Sequence, residues 1–489
     1  MKALLVNTPY IKLYGPLNVG GNFQFPLGLG YIASYLRENG IGVSLLDPEA
    51  QGMSASELAA AGRRLSPDVI GISSATPNFP AAVGIARLLK EAVGCPVVLG
   101  GVHASAFPGR IAARHAEFDY VVAGEGERTM LDLCRSLEGK IAAEDVKGIA
   151  FRRASGTVTQ TPPREFITAL DELPFPARDL LPMSRYRPQV YADLGEKSIS
   201  MITSRGCPAA CTFCASHVTM GRRFRAHSVG YMISEIEECM TKYGARYFVM
   251  KDDTFTCDEA RLEEFCRELI SRKLGIEWFC YSRVDLVDQA KLELMRLAGC
   301  RILAYGIESG NDDVLRGMKK GISADVARRA MRLANDAGFI TVGSFMLGNP
   351  GEDEAALRET IRLAIETRPV LASFNRFVPY PGTAAFRSVF PRDDFEEPSN
   401  WGDFVASGPN VAFASKGLSK RQIQRWTLVA YLRFYMRASQ WLWILAHVTG
   451  FRHAKAYLRG TAGVIAQLFS WTLGLSWSSF RGLFQGRDR

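Results

Sequence analysis

Three cysteines stand close enough to act together: Cys207, Cys211 and Cys214, in the stretch RGCPAACTFC. A C-x3-C-x2-C loop can offer one thiolate to each of three irons of a 4Fe–4S cluster and leave the fourth iron open to an incoming ligand. A structural zinc ion would need a fourth protein ligand. His217, three residues past Cys214, could supply one, so zinc stands as the alternative. The other cysteines do not extend the pattern. Cys95 and Cys134 are isolated, and Cys239, Cys257, Cys266, Cys280 and Cys300 are scattered over helix-like and strand-like stretches, as inert core thiols are. Ten cysteines in 489 residues are too sparse for a disulfide scaffold, and MKALLVNTPY has neither the length nor the cleavage site of a secretory signal. Reduced thiols in a cytoplasmic protein are therefore expected.

The cysteines follow the strand-like run SISMITS, the first of six. RYFVMKDD, IEWFCYSR, RILAYGIES, FITVGSFMLG and ASFNRFVPY come next, separated by helical patterns such as VGYMISEIEECMTKY. Six strand–helix units are too few for an eight-unit barrel and predict a partial, open (β/α)6 barrel over residues 196–400. Ahead of it, residues 1–150 alternate KALLVN, GVSLLD, DVIGISS, PVVLGG and YVVAG with helical runs. That predicts an α/β, doubly wound, Rossmann-like parallel sheet, whose ligand would sit beyond the carboxyl ends of the strands. Residues 151–195, rich in proline and acid and without periodicity, read as a linker.

The net charge of +9 invites a nucleic-acid reading, but its location excludes one. Residues 416–489 hold twelve Lys/Arg against the single acid Asp488, so the rest of the chain is nearly neutral. This tail also carries Trp426, Trp441, Trp443, Trp471 and Trp477. Residues 401–489 read as an all-helical, basic, Trp-rich region. Its uncharged runs, 438–451 and 461–480, suit interfacial helices, with a bilayer span or a plain helical cap on the barrel as alternatives.

Further motifs follow the cysteines in order. Lys251–Thr256 reads KDDTFT, Gly306–Gly310 reads GIESG, Gly348–Glu352 reads GNPGE, and Pro379–Thr383 reads PYPGT. Together with Phe213, the aromatic residue before the last cysteine, this set resembles the radical S-adenosylmethionine (SAM) superfamily along about 200 residues. The resemblance implies a 4Fe–4S cluster held by Cys207, Cys211 and Cys214, with SAM chelated at the open iron. One electron would cleave the sulfonium and give a 5′-deoxyadenosyl radical that takes hydrogen from an unreactive C–H, while the protein orients and excludes water. Gly306, Glu308 and Ser309 fall on the strand that contacts the cosubstrate, Arg283 would face its carboxylate, and Asp253 a ribose or substrate group. Glu308 or Arg283 could equally be half of a structural ion pair. Arg222, Arg223 and Arg225 either offset the charge of the cluster or form a solvated run.

The first domain resembles the cobalamin-binding fold found ahead of some of these barrels. The matching turns hold Ser73, Ser74, Thr76, Pro77 and Asn78 after the third strand, Gly100, Gly101, Val102 and His103 after the fourth, and Gly124 and Glu125 after the fifth. Small residues there would let a flat corrin approach the backbone, although tight strand–helix turns would use them too. One departure stands out. In the D-x-H-x-x-G motif a histidine ligates cobalt, but Asp47–Gly52 reads DPEAQG, with Glu49 in the histidine's place. A cobalt not held by that histidine is therefore expected. Tyr10, with Tyr14 and Asn22, belongs to a long loop (residues 8–25) expected near the corrin, and His103 is the remaining histidine beside these turns.

The expectation is a cobalamin-dependent radical SAM enzyme that methylates an unactivated carbon of an apolar substrate such as a lipid, hopanoid or tetrapyrrole. Its electrons would come from a flavodoxin- or ferredoxin-type reductant, and residues 416–489 could touch the inner face of the membrane. A cyclase resembling the anaerobic magnesium-protoporphyrin ester cyclase, without methyl transfer, is the alternative enzyme. A membrane-associated cobalamin sensor is the alternative without catalysis. Methylthiotransferases fit poorly because the first domain lacks a cysteine triad. Branches with auxiliary clusters fit poorly because no cysteine follows Cys300.

Overall fold

Runs such as Ala3–Val6 and Val69–Ile72 are buried along their whole length, the mark of strands covered on both faces. The computed structural model describes residues 1–11, 13, 23–194, 197–391, 400–408, 410–415, 417–448 and 454. Its first sheet contains β1 (Lys2–Asn7), β2 (Gly42–Leu46), β3 (Val69–Ser73), β4 (Val97–Gly100) and β5 (Tyr120–Val122), all parallel in the order β2-β1-β3-β4-β5. Helices Leu27–Glu38 and Gly126–Leu137 cover one face, and Ala55–Leu65 and Phe79–Val93 the other. The order reverses at β1/β3, so the turns after β1 and β3 open the crevice where doubly wound sheets bind ligands.

The sheet does not stop at the expected boundary of residue 150. Strands β6 (Ile149–Arg152) and β7 (Val158–Gln160) add antiparallel to β5, so the stretch read as the start of a linker completes the first sheet. The rest of that stretch is built into the molecule. Arg178 pairs with Glu235 at 2.6 Å, both buried, and the Tyr186 hydroxyl donates to Asp47 at 3.1 Å.

The second sheet contains β8 (Ser198–Met201), β11 (Tyr247–Met250), β12 (Glu277–Ser282), β13 (Cys300–Glu308), β14 (Ile340–Leu347) and β15 (Leu371–Arg376), in the order β15-β14-β13-β12-β11-β8 and parallel throughout. It is the expected open (β/α)6 barrel. The short strands β9 (Ser204–Arg205) and β10 (Arg225–Ala226) pair antiparallel across the base of the cysteine loop. Alternation sends Phe248, Met250, Trp278 and Leu303 to the helical layer, and Tyr247, Val249, Phe279 and Ala304 into the concave lumen. Ala192, Leu194 and Ile444 close the floor of the lumen.

Open barrels leave an edge strand whose backbone groups need partners. Helix Lys420–Tyr435 covers β15: the Ala372 N–H donates to the Tyr435 hydroxyl at 2.9 Å, that hydroxyl donates to the Ala372 carbonyl at 2.8 Å, and the Phe374 N–H donates to the Tyr431 hydroxyl at 3.3 Å. The first part of the basic region is thus a cap packed on the barrel, as Ile423, Ala430 and Phe434 show by their burial. A second helix, Ala438–Ala446, follows. The run 461–480, Trp471 and Trp477 lie outside the described residues, as do Tyr14 and Asn22. Among the described residues no helix is long and apolar enough to cross a membrane.

Candidate active site

The cysteine loop leaves β9 through Gly206, whose φ is +84°. A Cβ there would lie 2.3 Å from the Arg223 carbonyl, so only glycine lets the loop close on β10. The loop is held from outside as well: Thr212 N–H donates to the Met318 carbonyl and Ala385 N–H to the Thr212 carbonyl, each at 2.9 Å. Cys211 is buried, and Cys207 and Cys214 are half-buried. Cys207 Sγ lies 3.7 Å from Thr254 Oγ1 at the end of the second barrel strand. Burial, then Asp253 and the two other cysteines, push the Cys214 thiol up to about 11. Among the described residues no three His, Cys, Asp or Glu side chains converge on a point that one ion could occupy. His217, the proposed fourth zinc ligand, lies at the start of the short helix Ser216–Met220.

Each barrel-strand tip adds one element. At β11, Asp252 accepts from Thr203 N at 2.8 Å, Thr203 Oγ1 at 3.0 Å and the Ser204 hydroxyl at 2.7 Å, clamping the segment that leads to the cysteines. Asp253 accepts from the Ser216 hydroxyl, and burial raises its pKa. At β12, Arg283 pairs with Asp285 through Nε and Nη2, both at 2.9 Å, and Nη2 also donates to the Lys320 carbonyl. It remains within electrostatic reach of Cys211 and Cys207. At β13 the register breaks between Gly306 and Glu308. Glu308 takes a φ of +75°, a strained conformation for a residue with a side chain, and its carboxylate meets Lys320 Nζ at 3.1 Å. Gly306 makes room for that pair, since a Cβ would stand 2.7 Å from Glu308 Oε1. Lys320 Nζ also lies 5.8 Å from the centre of the Phe213 ring, which ties the pair to the cysteine loop.

Ser309 departs from its expected role. It is fully buried, and its hydroxyl lies 3.1 Å from Thr360 Oγ1 on helix Glu354–Thr367. It fastens β13 to that helix rather than opening to a cosubstrate.

The first domain contributes a cavity of about 260 Å³ at the carboxyl ends of its strands. Ser73, Gly100, Gly101, Val102, Gly124 and Glu125 line it, and Ile202, Arg205, Thr219 and Met220 close it from the barrel side. Gly101 has a φ of +99°, and a Cβ would lie 2.3 Å from the Ser74 carbonyl. The neighbouring polar side chains are spent on shaping the turns. Asn78 accepts from Ala75 N at 2.8 Å and the Ser74 hydroxyl at 3.2 Å, and donates to the Thr8 carbonyl at 3.1 Å. Pro77 is half-buried in the same turn.

His103 is not placed to ligate cobalt or to touch a corrin. It is 1% exposed, its Nδ1 sits 3.3 Å from Thr76 Oγ1, and its ring centre is 4.3 Å from that of Phe79 and 4.9 Å from that of Trp401. Burial lowers its pKa to about 3, so it packs as a neutral aromatic. Glu49 shows what replaced the motif histidine. Its carboxylate accepts from Tyr10 N at 2.7 Å and Ile11 N at 3.0 Å, and the Tyr10 hydroxyl accepts from Gln24 N at 2.9 Å. Both side chains organise the loop after β1.

A buried charge network joins the two sheets. Arg205, two residues before Cys207, reaches Glu125 at 2.9 Å and Glu127 at 2.6 Å, and Arg225 reaches Glu125 at 2.8 Å. Glu125 also accepts from Ile167 N at 2.7 Å. Glu125, expected as a cofactor contact, is thus first an inter-domain strut, and Arg225 belongs to no solvated run. Nothing in the spacing or type of Arg205, Glu127 or Lys320 marks them as part of this network. The partners of Arg205 lie 80 and 78 residues away.

Residues 201–364 match the Radical SAM superfamily and residues 17–133 the B12 binding domain. An uncharacterized methyltransferase of Pyrococcus horikoshii is 32% identical over 438 residues, 89% of this chain and 93% of its own. The anaerobic magnesium-protoporphyrin IX monomethyl ester cyclase of Rubrivivax gelatinosus is 28% identical over 396 residues, 80% of this chain and 70% of its own. Among solved structures, the cobalamin-dependent S-adenosylmethionine radical enzyme OxsB, with aqua-cobalamin and S-adenosylmethionine bound, superposes with a TM-score of 0.73 at 19% identity, covering 96% of this chain and 72% of its own.

Proposed function

Because the chain belongs to the cobalamin-binding radical SAM enzymes, whose cofactors are a 4Fe–4S cluster, SAM and cobalamin, we propose that it methylates an unactivated carbon of an apolar substrate. The observation that carries this reading is the cavity shared between the glycine turns of the first sheet and Arg205 at the root of the cysteine loop. When bound, the cluster and SAM supply a hydrogen-abstracting radical, and cobalamin supplies the methyl group.

The chain's own residues hold and orient. Cys207, Cys211 and Cys214 hold the cluster. Glu308 and Lys320, now paired with each other, would offer an acceptor and a cation to the amino and carboxylate ends of SAM, Arg283 would add a second cation, and Asp253 would face its ribose or the substrate. Gly100, Gly101 and Gly124 admit the corrin edge. The Glu125–Arg205–Glu127 strut would hold the turns that admit a corrin against the root of the cysteine loop. Glu49, committed to the Tyr10 and Ile11 N–H groups, would shape the loop beside a bound cobalamin and would not serve as its ligand.

A flavodoxin- or ferredoxin-type protein would deliver the electron. Exposed Met436, between the two C-terminal helices, and Leu442 and Leu445, on the second, support peripheral contact with the inner face of a membrane, from which a lipid, hopanoid or tetrapyrrole could be drawn. The relatives named above are a methyltransferase and a cyclase, which supports catalysis over a sensor.

The test is anaerobic reconstitution with cobalamin, reductant and SAM, quantifying 5′-deoxyadenosine and S-adenosylhomocysteine together. Both products are expected. Deoxyadenosine without S-adenosylhomocysteine, once a substrate is turning over, would move the chain to the cyclase class that the Rubrivivax relative represents.

A further inference from the structure

The lumen holds a polar group that neither the cluster nor the cosubstrate residues use. Lys251 continues β11 by one residue: its N–H donates to the Met201 carbonyl at 2.7 Å, extending the pairing of β11 with β8. Alternation then puts its side chain on the lumen face with Tyr247 and Val249. Lys251 Nζ lies 5.9 Å from the centre of the Tyr281 ring. The Tyr281 hydroxyl is 2.7 Å from that of Tyr191, and both reach Gln189 Oε1. Across the lumen Asn375 Nδ2 donates to Ser344 Oγ at 3.1 Å.

Acids surround this lysine in sequence but none meets it. Asp252 is committed to Thr203 and Ser204, Asp253 to Ser216, and Glu308 to Lys320. Among the described residues no carboxylate forms an ion pair with Lys251, and burial alone brings its pKa down to about 8. Enclosing an ammonium with no counter-charge opposes folding. A ligand that brings the missing charge would remove that penalty on binding.

We propose that Lys251, facing the Tyr281 ring on the lumen side of the sheet, is a subsite for an oxyanion, a carboxylate or a phosphate, carried by the substrate. This rests on the proposed function and adds to it that the substrate enters the barrel lumen. It narrows the apolar substrate to an amphiphile with one acidic end, which would bind head-first above the floor formed by Ala192 and Ile444.

Enzyme holding cluster, cobalamin and saturating SAM is titrated by calorimetry with octanoate, octyl phosphate and 1-octanol. At least one anion should bind about tenfold or more tighter than the alcohol, as a charged hydrogen bond would give. The better anion tells carboxylate from phosphate. Lys251→Met should erase the preference and leave octanol affinity unchanged, and Lys251→Arg should keep most of it. If Lys251→Met fails to retain cluster and cobalamin absorbance, Lys251→Gln serves in its place. The proposal is overturned by equal affinities in the natural enzyme, by a preference that survives loss of the lysine, or by a variant that loses SAM affinity instead. Formation of both SAM products without any anion preference would sink this inference alone. Absence of both products with the preference intact would sink only the methylation reading.

Discussion

Arg205 is a buried cation and Lys251 a half-buried one, and their surroundings are opposite. Arg205 meets two carboxylates within 2.9 Å, in the seam between the sheets. Lys251 meets a tyrosine ring and, among the described residues, no acid, in the lumen. A cation with its charges balanced locks parts of a fold together, and one left unbalanced costs stability until something binds. The first marks structure and the second points to a ligand.

Four outcomes test that distinction, the largest first. Glu127→Ala should destabilise the protein by about 3–5 kcal/mol, because it strands Arg205 with half its compensation. Chemical denaturation measures this, and faster loss of cobalamin on gel filtration should accompany it. A cost below 1 kcal/mol would show that the strut is dispensable.

His103 supplies a buried base that is kept neutral. Its pKa is about 3 in the fold against an ordinary 6.5, so below pH 6.5 the unfolded chain takes up the proton first. Stability should therefore fall as pH drops from 6.5 toward 3, by roughly 1.4 kcal/mol per pH unit for this group. In His103→Phe, melting temperatures followed from pH 7 to 5 should show a shallower decline than in the natural protein.

Lys251 titrates in the other direction. Its charge is lost above about pH 8, with Tyr281 and Tyr191 the titratable groups facing it. Anion affinity should fall about tenfold between pH 7 and 9 while octanol affinity stays flat. The smallest effect is on stability. Lys251→Met should shift it by less than about 1 kcal/mol, or raise it, since it removes a charge that nothing balances. A loss as large as that of Glu127→Ala would erase the difference between the two cations.

Local chemistry was legible in the sequence. The cysteine triad, the glycine turns and the strand–helix alternation each depend on residues near one another in the chain, and so does the D-x-E departure at Glu49. Long-range pairing was not legible. Glu308 reads as a cosubstrate contact until Lys320 is found beside it, and Glu125 reads as a corrin turn until Arg205 and Arg225 arrive from 80 and 100 residues away. Histidine type says nothing of enclosure, so His103 could not be told from a ligand before Phe79 and Trp401 closed on it. The boundary at 150 failed because β6 and β7 are short and join an edge, where three or four residues leave little periodicity to read.

The pair of tyrosines on helix Lys420–Tyr435 sets a limit on how the chain can be shortened. Ala372 and Phe374 present their amides to phenol oxygens, not to another strand. A protease nick just before Lys420 that released the helix would leave an unprotected β-edge of six residues, a ready template for strand addition by a neighbouring molecule. Such a fragment would keep every cysteine and every glycine turn and still be lost to fibrous self-association.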